Sequence, residues 1–150
     1  MVLVSMQSFR ANVIAVKVFN DLGFGATSDV IAGIDYVIAT AASRGNPAVA
    51  LLSVGGSKSE VLDRAVAGAF SAGVVVTAAA GGSSSNACQY SPGGAPESLT
   101  VASSDDSDTF ASNSNSGSCV KIVAPGVTIT TARNGGGNVT MSCTFNFVSE

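Results

Sequence analysis

The chain contains no histidine, and that removes the side chain most often used as a general base near neutral pH. A hydrolytic nucleophile would need activation by one of ten carboxylates or seven Lys and Arg residues, none set in a recognisable catalytic motif. Charge is scarce: charged residues make up 11% of the sequence, well below the roughly 25% usual for soluble domains. With a net charge of −3 and no run of Lys or Arg, there is no basic face for a nucleic acid or an anionic membrane surface. Cys88, Cys119 and Cys143 lack CxxC spacing, which argues against a zinc site. The longest apolar stretch, residues 74–80, is far too short to cross a bilayer. The opening MVLVSMQSFR lacks the basic start and apolar run of a secretory leader. The expectation is therefore a cytosolic chain or one whose natural start lies upstream, and the motifs described below favour the second.

What remains is rich in Val, Ala, Ile, Gly and Ser. The apolar share is 46% over 150 residues, enough for the core of one domain. Residues 12–19 (NVIAVKVF) read as a β-branched strand. Ser28 is placed to cap a helix with Val30, Ile31, Ile34, Val37, Ile38, Ala41 and Ala42 on one face. Gly45 and Pro47 end it. Residues 47–54 read as a second buried strand, followed by a Gly55-Gly56 turn. Ser57 and Glu60 have capping-box spacing, and the helix they open would pack through Val61, Leu62, Ala65, Val66, Ala69 and Phe70 up to Gly73. Residues 74–79 form a third strand. The β-α-β-α-β order predicts three neighbouring parallel strands. Beyond Gly81 the chain turns polar, with short strands expected at 98–102, 120–123 and 128–131 and no helical period after Gly135.

Two nucleotide-site patterns fail on inspection. Gly23-Phe24-Gly25 follows a strand and opens a helix, but Ser28 takes the third glycine's place and the next strand ends in Ser53-Val54 without a carboxylate. Gly56-Ser57-Lys58-Ser59 lacks both glycines that a phosphate loop requires. Asp105, Asp106 and Asp108 read as a solvated loop rather than a calcium site. Asn138-Val139-Thr140 is a glycosylation triplet, meaningful if the chain is secreted.

Four further segments stand in register: VKVFNDLGFGATSDVIAGIDYV, SVGG, AGVVVTAAAG followed by NACQYSPGGAPESLTVASSD, and NSGSCVKIVAPGVTI. Together they resemble the subtilisin-like serine proteases, especially their proteinase K-like branch. The resemblance spans residues 12–144, with 145–150 a divergent tail, and implies one partial α/β domain over 1–150: part of a doubly wound parallel sheet with flanking helices. It further implies that Ser53, Val54 and Gly55 pair with an extended peptide substrate, while Ala79, Ala80 and Gly81 line the pocket beside the scissile bond. In the family an Asn follows Ala-Ala-Gly and donates to the oxyanion; here that position is Gly82. The nucleophile register, Ser142-Cys143-Thr144-Phe145, places Phe145 at the catalytic serine and Cys143 at a glycine. The family's Asp-Thr-Gly and His-Gly-Thr-His segments lie upstream of the strand holding Lys17 and have no counterpart in this sequence.

The resemblance thus points to a serine endopeptidase fragment shortened at both ends and catalytically inactive. The alternative is a non-catalytic peptide-binding decoy derived from a protease. Ser142 or Cys143 as a rebuilt nucleophile lacks a base, and Lys17 is no general base in the family. Relatives also imply a Cys88–Cys119 disulfide, leaving Cys143 free and closing a loop of about thirty residues worth roughly 3 to 4 kcal/mol in the chain-entropy picture. A family calcium is held by carbonyls matching Pro96 and Ser98 plus an Asp whose position is Lys121 here, so no cofactor is expected. Secretion and self-association through open strand edges complete the expectations.

Overall fold

The computed structural model describes residues 12–132 and 136–142. Helix α1 (Thr27–Arg44) starts two residues earlier than a cap at Ser28 would place it. Its N-cap is Ala26, whose backbone N–H donates to the Asp29 carboxylate at 3.0 Å, so the side-chain bond at this helix start comes from the acidic residue at the third helical position and not from Ser28. Gly45 closes the helix in the left-handed region, with its N–H on the Ala41 carbonyl. Val30 and Ile34 are buried, with Ile31, Val37, Ile38 and Ala41 packed beside them; Ala42 falls outside this stripe and is exposed.

Strand β1 (Ala48–Leu52) lies within the expected span. The expected glycine turn after it is instead half a ribbon: β2 (Gly56–Ser57) pairs antiparallel with β4 (Tyr90–Ser91). Ser57 is thereby occupied in a strand, and Ser59 caps α2 (Glu60–Ser71), accepting from the Leu62 N–H at 3.4 Å. Leu62, Val66 and Ala69 are the buried stripe of α2. Val61 and Phe70, expected inside, are 55% and 57% exposed because each stands one position outside that stripe, Val61 before Leu62 and Phe70 after Ala69.

Strand β3 (Val74–Ala79) matches its expected limits; β5 (Leu99–Ser104) and β6 (Ile122–Pro125) run one or more residues later than expected. These strands form a parallel four-stranded sheet in the order β1-β3-β5-β6. Residues 12–19 are not part of it: they have no strand partner among the described residues and lie against α1, with Val18 and Phe19 at the rim of the core. A β-branched run fixes an extended backbone but cannot supply the neighbour that makes a strand. β7 (Ile129–Ala132) and β8 (Asn138–Met141) form a separate antiparallel ribbon, of which β8 carries no sequence periodicity long enough to announce it.

Both helices cover one face of the sheet. Val30, Ile34, Leu62, Val66 and Ala69 meet Ala50, Val74 and Val76 in one cluster, with Ala95 at its end. On the opposite face the paired residues Val49 and Val75 are 61% and 47% exposed.

Candidate functional site

Parallel strands all point one way, so the segments leaving their carboxyl ends gather along one rim, where open α/β sheets bind ligands. β1 and β3 are neighbours, with Leu52 opposite Ala78. Ser53, Val54 and Gly55 therefore leave the sheet beside Ala79, Ala80 and Gly81, about 5 Å apart at the last ladder pair. Sequence reasoning assigned these six residues to one site, and the topology brings them together.

The Ala79–Gly81 wall is held from behind. The Ala80 N–H donates to the Val101 carbonyl at 2.8 Å, which extends the β3–β5 pairing past the strand end. Ala79 and Ala80 are buried. A Cβ on Gly93 would stand 2.5 Å from the Ala79 carbonyl oxygen, so the 92–95 turn can pack against β3 only with glycine there.

Asn115 organises the loop that follows. It is fully buried. Its Nδ2 donates to the Ala80 carbonyl at 2.9 Å, and its Oδ1 accepts from the Ser83 and Ser85 N–H groups at 2.9 and 3.0 Å. Its backbone N–H donates to the Gly81 carbonyl at 2.8 Å. Gly81 has φ +99, and a Cβ there would meet Asn115 Nδ2 at 2.5 Å, so both its conformation and the close amide demand glycine. Sequence reading passed over Asn115, since a buried amide among Ser and Asn residues looks the same as a solvated one. The only available signal was the register of the NSGSCV motif.

Gly82, in the oxyanion register, is exposed and carries no side-chain donor. Ser53 turns its hydroxyl into the protein, where it is buried and has no hydrogen-bond partner among the described residues. Ser142 Oγ accepts from the Thr128 N–H at 2.8 Å and so braces the β7–β8 ribbon. Cys143 and Phe145 lie outside the described residues.

Cys88 and Cys119 form the expected disulfide, with their Cα atoms 5.4 Å apart. Asp105 accepts from the Ser107 and Thr109 N–H groups, both at 2.9 Å, an Asx-type turn that accounts for the acidic loop without a metal. Lys121 is exposed and puts an ammonium where the family's calcium has a carboxylate, and no group of three His, Cys, Asp or Glu among the described residues could hold a metal. The donor set does not fit calcium. No helix among the described residues is long and apolar enough to cross a membrane.

The subtilase family model matches residues 4–148. The chain belongs to the subtilase family. Subtilisin-like protease 4 of Trichophyton equinum is 47% identical over 137 residues, covering 90% of this chain and 35% of the relative. The protein of the same name from Arthroderma gypseum shows the same identity over 90% of this chain and 34% of its own length. A solved structure described as a cold adapted subtilisin-like serine proteinase superposes with a TM-score of 0.81 at 44% identity, covering 85% of this chain and 46% of that one. The chain thus spans about a third of the length of the curated relatives it matches.

Proposed function

We propose that residues 1–150 are part of one subtilase domain whose whole form is a secreted serine endopeptidase, and that this chain by itself binds extended peptides without cleaving them. The observation that carries the binding half is the pair of adjacent strand exits, Ser53–Gly55 and Ala79–Gly81, with the second fixed by Asn115. An extended peptide laid along them would find backbone partners on both sides, the strand-addition mode of recognition. The inactive half rests on composition and register: no histidine, Phe145 at the nucleophile position, and Gly82 at the oxyanion position. The disulfide supports an oxidising, extracytoplasmic destination. The open sheet face around Val49 and Val75 and the edges of β1 and β6 support self-association of the chain on its own.

A decoy is the second reading, favoured by the intact Asn115 framework, which a chain with no use for the pocket has no reason to hold. The test is a titration of isotope-labelled protein with a blocked apolar tetrapeptide amide. Amide shifts confined to residues 53–55 and 79–83 are expected. Saturating peptide that leaves those amides unmoved would sink the binding reading.

A further inference from the structure

We infer that Asn138 is an acceptor for an N-linked oligosaccharide. Asn138-Val139-Thr140 is the only Asn-x-Ser/Thr triplet in the sequence, with no proline at its centre. In the structure it opens β8 directly after Gly136 and Gly137, whose φ values are +97 and +81, and Asn138 is the end residue of the ribbon, paired with Ala132. Asn138 and Thr140 are both exposed, and two-residue spacing on an extended strand puts them on one face. The Asn138 carboxamide has no hydrogen-bond partner among the described residues. The Thr140 hydroxyl meets only the Thr130 hydroxyl, at 3.4 Å, which leaves it capacity for another bond. Asn115, by contrast, is wholly buried, with both its side-chain nitrogen and oxygen hydrogen-bonded.

A carboxamide and a hydroxyl exposed on one face at this spacing present the acceptor triplet to a glycosyl-transferring enzyme. The co-reactant is a lipid-pyrophosphate-linked oligosaccharide. The Asn138 amide nitrogen attacks the anomeric carbon and a C–N bond forms. The bond from that carbon to the pyrophosphate oxygen breaks, the lipid pyrophosphate leaves, and the nitrogen gives up one proton to a base of the transferase. No oxidant or reductant is involved. Among the described residues β8 pairs only with β7, so a hydrated glycan at its first residue would also obstruct addition of a foreign strand.

The inference rests on the secretory reading above, and the experiment separates the two. The whole chain is expressed in yeast behind a cleavable secretory leader, and leader-cleaved protein, secreted or retained, is analysed by mass spectrometry before and after glycan-releasing amidase. The expected result is a sugar mass that disappears on treatment as Asn138 becomes Asp. It should be absent in Asn138→Gln and Thr140→Ala and kept in Thr140→Ser. Leader-cleaved chain with a bare Asn138 overturns the inference, whatever the natural destination. Asn138→Gln should also self-associate at several-fold lower concentration by sedimentation. Association equal to that of the glycosylated chain would remove the edge-shielding role.

Discussion

The loops between residues 80 and 118 and the segment from 12 to 26 are both largely irregular backbone, yet they are held in opposite ways. In the first, local turns are joined by bonds that reach across the chain: Asn115 to Ala80, Ser83 and Ser85, Ser84 to Ser112, and the Cys88–Cys119 disulfide. Ser91, Ser98, Thr100 and Asn115 are buried polar residues there. In the second, the bonds among the described residues are local. Asn20 accepts from Leu22 and Phe24, and Lys17 donates to the Phe19 carbonyl and pairs with Asp21 at 2.8 Å. Leu22 and Phe24 are 81% and 72% exposed. Polar groups satisfied within a few residues shape a turn without tying it to the fold, whereas long-range ones make irregular backbone as secure as a strand. The candidate wall Ala79–Gly81 leads into this secure region.

The comparison can be broken most forcefully at the disulfide. Replacing Cys88 and Cys119 together by Ser should cost about 3 kcal/mol in denaturant unfolding, and a loss near zero would mean that the loops hold themselves. Asn115→Leu comes next. It strips partners from the Ser83 and Ser85 N–H groups and the Ala80 carbonyl, and should cost about 2 to 3 kcal/mol, with peptide affinity falling along with stability. Phe19→Ala should cost only about 1 kcal/mol, below the usual core value because the ring is half-buried. It should also speed tryptic cutting at Lys17 while leaving Lys58 protected; equal rates at both would erase the contrast. The smallest effect belongs to Asp21. The Lys17 hydrogen bond, and then its charge, hold the Asp21 carboxyl below the ordinary aspartate value. Such a group adds stability above its unfolded pKa and loses it as pH falls through the lower folded one. Because both partners are exposed, Asp21→Asn should leave the melting temperature unchanged at neutral pH.

The sequence announced both helices and the buried strands β1 and β3, where apolar periodicity ran for a full element, but the first strand of the expected β-α-β-α-β order does not form. β3 was legible to the residue because it is continuous, apolar and bounded by Gly73 and Gly81. Residues 12–19 misled because strand character in the side chains says nothing about a partner. The caps at Ser28 and Ser57 misled because a neighbouring residue, Asp29 or Ser59, stood equally well placed. The two candidate walls were proposed only through family motifs, since Ser-Val-Gly and Ala-Ala-Gly carry no chemistry of their own. Asn115 stayed hidden because burial of an amide is decided by tertiary packing.

The claim that this chain keeps a peptide-binding rim without a catalytic centre is tested most directly by activity. Removing triad members leaves a residual acceleration of about 10³ to 10⁴, and losing one oxyanion donor removes roughly a further 10² to 10³, the scale measured for a subtilisin. Purified protein should therefore show no labelling by a serine-directed fluorophosphonate and no casein hydrolysis above buffer from acid to alkaline pH. Labelling at Ser142, or hydrolysis that survives repurification, would contradict the account and reveal a functioning nucleophile.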